Sequence, residues 1–171
     1  MRVRAAAPAD LPGILAIYND MIARSTAVYA SAPVTLAERA AWLEARQAQG
    51  YPVLVAVEGA DVLGFSSFGD WRAWPGYRFT VEHSVHVASD CHRRGIGRQL
   101  VEALFPIAVA LDKHVMLGGI DAANAASIAF HQRLGFRQVA HFTEVGHKFG
   151  RWLDLVFMQR LLDAPGARRA A

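Results

Sequence analysis

The sequence has one cysteine and no long apolar run, and both absences narrow the class of protein. Cys91 is the one cysteine among 171 residues, so the chain forms no intramolecular disulfide, as expected in a reducing compartment. A small residue in a turn is a better interpretation of Cys91 than a nucleophile. No stretch of about 18 apolar residues is present, and the N-terminus lacks the apolar segment of a signal peptide. We therefore expect a cytoplasmic protein with no membrane partner.

Concentrated positive charge is missing as well. The net charge is +3, and part of the basic excess lies in Arg168 and Arg169 near the C-terminus. Proteins that bind nucleic acid usually carry a basic stripe or an aromatic stacking platform, so we expect no nucleic-acid partner. The seven histidines show no spacing typical of metal ligands, and neither cysteine pairs nor a His-Glu-x-x-His motif is present. We therefore expect no metal.

The length and the hydrophobic pattern predict one α/β domain. Hydrophobic residues make up 53% of the sequence, which is enough for one core. We predict a single domain over residues 1–162 and a flexible tail over 163–171. The pattern predicts the order strand, two helices, three strands, helix, strand, helix and two strands. The predicted strands are 2–5, 53–57, 62–68, 82–87, 115–120, 136–145 and 152–160, and the predicted helices are 10–22, 35–50, 97–111 and 123–134.

Four residue patterns predict where these helices begin, end or break. Asp10 is expected to cap the first helix, and Thr35 with Glu38 forms a capping-box pattern for the second. Pro106 is expected to kink or split the third helix, because proline breaks the hydrogen-bond ladder. Gly135 is expected to end the fourth helix as its C-terminal cap.

A strand followed by a glycine-rich turn is the most informative motif. In the predicted strand, alternation places Glu82, Ser84 and His86 on one face. The turn that follows, residues 92–98, contains Gly95 and three arginines, and it opens a predicted helix. Backbone N–H groups at a helix start bind phosphate, and arginine adds charge. The unit therefore predicts a pyrophosphate-bearing ligand beside the carboxylate of Glu82.

Two common phosphate loops are excluded, and a third type of turn fits. A dinucleotide fingerprint needs a third glycine where the chain has Leu100, and a P-loop needs Gly-Lys-Ser/Thr, which is absent. The segment Arg94-Gly95-Ile96-Gly97 after Val85-His86-Val87 resembles the acetyl-coenzyme A (acetyl-CoA) turn of the Gcn5-related N-acetyltransferases (GNAT). In that family the turn reads Gln/Arg-x-x-Gly-x-Gly/Ala, and here His92 stands in its first position.

A second motif supports the same resemblance. The segment from Asn124 to Phe136 is similar to the family's Asn-x-x-x-x-x-Phe-Tyr-x-x-x-Gly-Phe segment, with His131 in place of tyrosine. The resemblance covers nearly the whole chain and implies a GNAT fold, with a mixed central sheet of about seven strands flanked by about four helices. It implies acetyl-CoA as co-substrate. The residues that it implies for binding the cofactor are Val85, His86, Val87, Arg93, Arg94, Gly95, Ile96, Gly97, Arg98, Asn124 and Ser127.

Three further features resemble one subgroup, the phosphinothricin and methionine sulfoximine acetyltransferases. They are His131 together with Glu82, the segment 146–154, and the loop 25–29. The resemblance implies acetylation of the α-amine of L-methionine sulfoximine, L-methionine sulfone or L-phosphinothricin, and thus resistance to such compounds as herbicides or antibiotics. It also favours a homodimer. The physiological substrate stays open, because resistance is compatible with a side activity of amino-acid metabolism.

The chemistry of acetyl transfer suggests roles for two residues. An amine that is protonated at neutral pH needs a base before it attacks a thioester, and Glu82 is the candidate, directly or through water. A solvent-facing strand glutamate is the alternative interpretation. The resemblance gives His131 the role of protonating the departing thiolate, although a water molecule or a purely packed histidine is compatible with the same pattern. The resemblance implies that the pantetheine part of the cofactor pairs with the backbone of Val85–Val87 like an added strand, and a backbone N–H of this edge is the candidate oxyanion donor.

The segment between the third and fourth strands is predicted to select the substrate. Aromatic walls and a guanidinium suit the carboxylate of a small amino acid, with Arg72 or Arg78 as the candidate. Surface charges and packing across a dimer interface are alternatives. The predicted substrate residues are Tyr29, Arg72, Trp74, Pro75, Gly76, Tyr77 and Arg78. Acetylation of protein N-termini or another small amine, and a non-catalytic acyl-CoA sensor, remain as alternative functions.

Overall fold

The computed structural model describes residues 1–162, and the elements occur in the predicted order. The strands are β1 Arg2–Ala5, β2 Val53–Glu58, β3 Asp61–Asp70, β4 Thr80–Val87, β5 Val115–Asp121, β6 Arg137–Lys148 and β7 Arg151–Leu161. The helices are α1 Leu11–Arg24, α2 Leu36–Ala48, α3 Ile96–Ala110 and α4 Ala125–Arg133. The prediction of a single domain over 1–162 stays a prediction, and the predicted tail, 163–171, lies outside the described residues.

The strands form one mixed sheet. Its seven strands lie in the order β1-β2-β3-β4-β5-β7-β6, and β4 with β5 is the parallel pair, whereas the other neighbours are antiparallel. Apolar side chains of α1 and α2 pack on one face of this sheet, around Phe65. Those of α3 pack on the other face, around Leu100 and Met116. The predicted fold, a mixed sheet of about seven strands with about four helices, is confirmed.

The first two helices begin in different ways. At α2, Thr35 accepts a hydrogen bond from the Glu38 N–H and the Glu38 carboxylate accepts one from the Thr35 N–H, so the predicted capping box is present. Asp10 stands at the N-cap of α1, but its side chain does not cap the helix. It instead pairs with the guanidinium of Arg4 at 2.6 and 2.8 Å and accepts from the Ala7 N–H at 2.7 Å, which satisfies both carboxylate oxygens.

Helix α3 continues through Pro106 and is not split there. Of the two predicted effects of Pro106, the split is wrong, because the packing of the buried Leu100, Leu104 and Ala108 holds the helix together around the missing N–H, and the kink stays a prediction. Gly135 has a φ of 83° just after α4, as predicted for a C-terminal cap. Within residues 1–162, no helix is long and apolar enough to cross a membrane.

Candidate active site in the gap between β4 and β5

The parallel strands β4 and β5 pair over a short distance and then separate. Thr80, Val81 and Glu82 lie opposite Val115, Met116 and Leu117, and the register ends there. Beyond this point β4 remains paired with β3, and β5 remains paired with β7. The separation leaves a gap in the middle of the sheet, lined by backbone N–H and C=O groups. Because such an edge pairs with an extended ligand, the gap is where the predicted pantetheine site would lie.

A cavity of about 370 Å³ opens at this gap. Its walls come from α1, α2, β3, β4, β5, α4 and the connection between α1 and α2. The side chains that matter below are Arg39, Glu82, His86, Asp121, Asn124 and His131. The fold thus brings the two predicted catalytic residues, Glu82 and His131, into one cavity, although 49 positions separate them in the sequence.

Glu82 is the last residue of β4 that pairs with β5, and its carboxyl group is half-buried in the cavity. Burial raises the pKa of this carboxyl, and a hydrogen bond from the Gly119 N–H opposes part of the rise. Gly119 has little room for a side chain, because a Cβ there would lie 3.1 Å from Glu82 Oε1. A desolvated carboxylate with a raised pKa is suited to accept a proton near neutral pH.

Asp121 is the second carboxylate that lines the cavity, and it is fully engaged. Its Oδ2 accepts a hydrogen bond from the hydroxyl of Thr26, and its Oδ1 accepts one from the Ala123 N–H at 3.0 Å. The side chain is buried at the end of β5. Asp121 therefore holds the α1–α2 connection against β5, whereas Glu82 makes no hydrogen bond to another side chain in the described residues.

Both ring nitrogens of His131 have hydrogen-bond partners. Nδ1 lies 2.7 Å from the carbonyl oxygen of Ser127, which only accepts, so Nδ1 carries the proton. In the neutral ring Nε2 then accepts from Nε2–H of His83, which is 3.2 Å away. Burial lowers the pKa of His131 and lowers that of His83 to about 3, so both rings are neutral at pH 7. His131 therefore holds no proton that faces the cavity.

The predicted phosphate turn has the backbone geometry of an anion site. Gly95 is the N-cap of α3 with a φ of 77°, and no side chain caps the helix. The first N–H groups of α3 are therefore available to an anion. Arg94 donates to both oxygens of Glu58 at 3.1 Å, and Arg98 donates to Glu102 at 2.8 Å. Arg93, with a φ of 63°, forms no ion pair within the described chain.

The other predicted cofactor residues divide between the cavity and the core. Val85, His86, Asn124 and Ser127 line the cavity, whereas Val87 packs against the core and Ile96 is buried in it. Asn124 caps α4, because its side-chain oxygen accepts from the Ser127 N–H at 3.0 Å. Ile96 and Gly97 can therefore contact a bound anion only through their backbone N–H groups.

The predicted substrate residues do not line this cavity. The Tyr29 ring packs against Gly146, where a Cβ would lie 2.3 Å from it. Arg72 lies over the Trp71 ring at 4.7 Å, and Arg78 lies over the Phe79 ring at 4.1 Å. The remaining residues, Trp74 to Tyr77, form an exposed single turn. These residues thus lie outside the lining of this cavity, and their contact with a substrate stays a prediction.

The cavity wall contains two arginines that the sequence did not suggest, Arg39 and Arg46. Arg39 is buried on the same side of α2 as Leu43, which follows it by four residues. A charged residue on the apolar side of an amphipathic helix is a signal in the sequence that could have identified it. No group of three or more potential metal ligands lies together in residues 1–162.

Comparisons with known proteins agree with this architecture. Residues 14–136 match the family described as the acetyltransferase (GNAT) family, and the chain belongs to that family. The sequence is 54% identical to an L-methionine sulfoximine/L-methionine sulfone acetyltransferase of Pseudomonas paraeruginosa, over 94% of each chain. It is 36% identical to a phosphinothricin N-acetyltransferase of Streptomyces coelicolor, over 95% of this chain and 96% of the relative.

Two solved structures extend the comparison to the fold. An acetyltransferase structure from Salmonella typhimurium, with its cofactor acetyl-CoA, superposes with a TM-score of 0.93 at 47% identity, over 99% of this chain and 98% of that one. A ribosomal-protein-alanine N-acetyltransferase from Brucella melitensis superposes with a TM-score of 0.93 at 46% identity, over 95% of this chain and all of that one. The predicted GNAT fold and acyltransferase class are confirmed.

Proposed function

We propose that this protein transfers the acetyl group of acetyl-CoA to the α-amine of small amino-acid analogues. The substrates that we propose are L-methionine sulfoximine, L-methionine sulfone and L-phosphinothricin. The names of relatives at 54% and 36% identity support this substrate class. The solved relative with acetyl-CoA supports the co-substrate. The two proposed substrates with sulfur and the one with phosphorus share a tetrahedral, oxygen-bearing centre beyond the amino-acid group.

One observation carries the proposal: the carboxyl of Glu82 is desolvated at the point where β4 and β5 separate. Of the two carboxylates in the cavity wall, Asp121 is occupied by Thr26 and by the Ala123 N–H, whereas Glu82 is not held by another side chain. The gap beside Glu82 gives an extended acyl carrier access to both strand edges. We therefore propose Glu82 as the general base.

The proposed reaction is a direct transfer with no covalent enzyme intermediate. The ammonium group of the amino acid loses a proton to Glu82, directly or through water, and the amine nitrogen then bonds to the thioester carbonyl carbon. A backbone N–H of the β4 edge at Val85–Val87 stabilises the oxyanion that forms. The carbon–sulfur bond breaks, the sulfur leaves as a thiolate, and the second proton of the amine goes to solvent.

Protonation of the thiolate is assigned to water rather than to His131. In the neutral pair, His131 donates its one ring proton to Ser127 and accepts the proton of His83. Both pKa values are lowered by burial, which removes a second proton at neutral pH. We propose that His131 and His83 instead form a neutral support beneath Gly118, whose missing side chain leaves room for both rings.

The proposed cofactor site combines the β4 edge with the start of α3. Pantetheine pairs with the gap-facing edge of β4, near Asn124 and Ser127, and the pyrophosphate meets the N–H groups that follow Gly95. Arg93 is the arginine of the turn with no carboxylate partner among the described residues, so it is the first candidate for a phosphate contact. Arg94 and Arg98 would have to exchange Glu58 and Glu102 for the ligand.

The function is tested by free-thiol release from acetyl-CoA. The panel holds the three proposed substrates, methionine, other amino acids, polyamines and short peptides. Saturable release with the sulfoximine, the sulfone or phosphinothricin supports the proposal. Release with peptides alone would favour acetylation of protein N-termini, which the Brucella relative's name makes the second candidate. Acetyl-CoA binding without release across the panel would favour a sensor.

The variant Glu82→Gln tests whether Glu82 is the general base, and Glu44→Gln is the matched control. Both variants replace a glutamate by its neutral amide, but Glu44 is exposed on α2. We expect Glu82→Gln to lower kcat by about 10²- to 10⁴-fold while the acetyl-CoA dissociation constant is unchanged. Equal turnover of Glu82→Gln and wild type at saturating amine would remove Glu82 as base.

Three expectations from the sequence stay predictions. A homodimer and a cytoplasmic location are proposed with the function. The loop with Arg72 and Arg78, and Tyr29, stay predicted substrate residues. Arg72→Gln and Arg78→Gln, assayed for the KM of the amino acid, test that part of the proposal.

A further inference from the structure

Arg39 is a buried cation in the wall of the cavity. Only 7% of the residue is exposed. Its guanidinium carbon lies 3.8 Å from the centroid of the Tyr18 ring and 4.7 Å from that of Trp42, so the planar group is held by two aromatic rings. Such stacking fixes the direction of the guanidinium donors and lowers the entropy lost when a ligand binds them.

Arg39 forms no ion pair in the described part of the chain. The carboxylate of the adjacent Glu38 is held by Thr35, whose hydrogen bonds lower the pKa of that carboxyl, and the Arg39 charge adds to this shift. Arg4 pairs with Asp10, Arg94 with Glu58 and Arg98 with Glu102, but no ion pair and no side-chain hydrogen bond involves Arg39. Its Nε is buried without a hydrogen-bond partner. Because a buried, unpaired charge is costly, its retention in a cavity wall is a reason to expect an anion from a ligand.

The groups around Arg39 leave room for that anion. Tyr18 comes from α1, Trp42 from α2, Phe65 from β3 and His86 from β4. None of them carries a negative charge, and burial lowers the pKa of His86 to about 4, with the Arg39 cation adding to the shift. Glu82 is the carboxylate of the cavity wall that no other side chain engages, and it forms no ion pair with Arg39 in the described residues.

We propose that Arg39 binds the α-carboxylate of the amino-acid substrate while Glu82 faces its α-amine. The inference rests on the proposed function, since it names the part of the substrate that one cavity residue recognises. A zwitterionic amino acid presents one positive and one negative group on the same carbon, and the cavity presents the two complementary charges. Polyamines and peptide N-termini lack that carboxylate, so they would leave the Arg39 charge unpaired. Arg39 thus selects free amino acids.

The phosphates of the cofactor are a different source of negative charge, and their predicted site lies elsewhere. Arg39 packs with the residues of α1 and α2 on the face of the sheet that contains Phe65. Gly95 and the start of α3 belong to the opposite face, where Ile96 and Leu100 are buried. The pyrophosphate site and Arg39 are therefore separated by the sheet.

Binding in the absence of turnover tests the inference. L-methionine sulfone and its carboxamide are titrated by calorimetry into the protein saturated with free coenzyme A. The two ligands share the amine and the sulfone but differ in the carboxylate. We expect wild type to bind the acid roughly 10- to 100-fold more tightly than the amide, as for a charged hydrogen-bonded pair. Arg39→Gln is expected to reduce this ratio to about one without changing the affinity for coenzyme A.

Two further variants separate charge from packing. Arg39→Lys retains a charge but loses the planar fork, so it should keep part of the ratio. Arg24→Gln removes an exposed guanidinium on α1, paired with Asp20, and should keep all of it. If Arg39→Gln unfolds, as judged by its melting curve, Arg39→Lys carries the test. The same ratio in wild type and Arg39→Lys would then overturn the inference.

Other outcomes also bear on the inference. If folded Arg39→Gln keeps the wild-type ratio of acid to amide affinity, the inference is overturned. It is also overturned if Arg46→Gln loses this ratio while Arg39→Gln keeps it. An effect of Arg39→Gln on phosphinothricin but not on the sulfone would also overturn it, since the recognised anion would be the side-chain phosphinate. Carboxylate-dependent binding that Arg39→Gln abolishes supports the inference even if no thiol is released, in which case the proposed function fails alone.

Discussion

The ammonium group of Lys148 donates a hydrogen bond of 2.6 Å to the carbonyl oxygen of Val28. The same group donates to the Ser25 carbonyl at 2.8 Å, and the residue is almost fully buried at the end of β6. Val28 lines the cavity, so β6 holds one wall of the site through a lysine rather than through strand pairing. Burial lowers the pKa of Lys148, and the two carbonyl groups take the place of water around its ammonium group.

We predict that Lys148→Met raises the KM of the amino acid and leaves the KM of acetyl-CoA unchanged. Methionine fills a similar volume but cannot hold the two carbonyl groups, so the loop 25–28 would move away from the cavity. A rise of about 10-fold or more is expected, as for the loss of two hydrogen bonds to a charged group. Steady-state kinetics with each substrate varied in turn provides the measurement.

Lys113→Met is the matched control, because these are the two lysines of the sequence. Lys113 donates to the Arg78 carbonyl at 2.7 Å and thereby holds the other loop, which lies outside the cavity. If both variants change the KM of the amino acid equally, the loop 25–28 has no special role. A larger effect of Lys113→Met would instead favour the substrate role predicted for the loop with Arg72 and Arg78.

We predict that the protein loses stability as the pH falls from 7 to 5, and that His86 accounts for part of the loss. Burial lowers the pKa of His86 to about 4 in the folded protein. The unfolded chain binds this proton below about pH 6.5, so protonation favours unfolding over the interval between the two values. His86→Phe keeps an aromatic ring beside Phe65 and should remove about 2 kcal/mol of the acid-induced loss.

Denaturant unfolding at pH 7 and pH 5 measures this difference in the free energy of unfolding. His114→Phe, at an exposed position, shows whether the loss of any histidine has the same effect. An identical pH dependence in wild type and His86→Phe would mean that His86 has the same pKa in the folded and unfolded protein, contrary to its burial among aromatic rings.

We predict that the rate falls at acid pH because the carboxylate of Glu82 becomes protonated. Burial raises the pKa of this carboxyl, and a base acts only when deprotonated, so kcat/KM should fall as the pH drops through the raised value. Substrates whose amines differ in pKa separate this limb from titration of the substrate. A limb that moves with the amine, or that survives in Glu82→Gln, would not belong to Glu82.

We predict that His131→Asn lowers kcat by less than about 10-fold. An asparagine amide can still donate to the Ser127 carbonyl, which is the bond that Nδ1 makes in the structure. Removal of a general acid would cost about 10²- to 10⁴-fold. A loss of that size, with acetyl-CoA affinity unchanged and the alkaline limb of the pH profile abolished, would restore His131 as the acid.

Local sequence signals predicted the helices and strands, whereas the residues that contact the substrate stay predictions. Period-two alternation, the Thr35 capping box and Gly95 are local features, and β4, α2 and the turn before α3 lie where they indicated. The side chain of Asp10 was assigned to the wrong partner, because Arg4 on another element competes for it. Propensity does not report such contacts between elements.

The lining of the cavity depends on tertiary placement that no short motif records. Arg72 and Arg78 stay predicted substrate residues, and in the structure each guanidinium lies on an aromatic ring outside the cavity. Arg39 reaches the cavity because α2 packs beside β3 and α1. The meeting of His83 and His131 likewise requires α4 to lie against β4, which the sequence separation of 48 residues does not reveal.

The short pairing between β4 and β5 has a consequence for the stability of the whole protein. Three residue pairs join the half of the sheet that holds β1 to β4 to the half that holds β5 to β7. We expect a ligand in the gap to contact both halves, and such a site exists only in the folded chain. The melting temperature should therefore rise with the logarithm of ligand concentration. The lifetime of the enzyme in a cell would then follow the supply of its acyl donor.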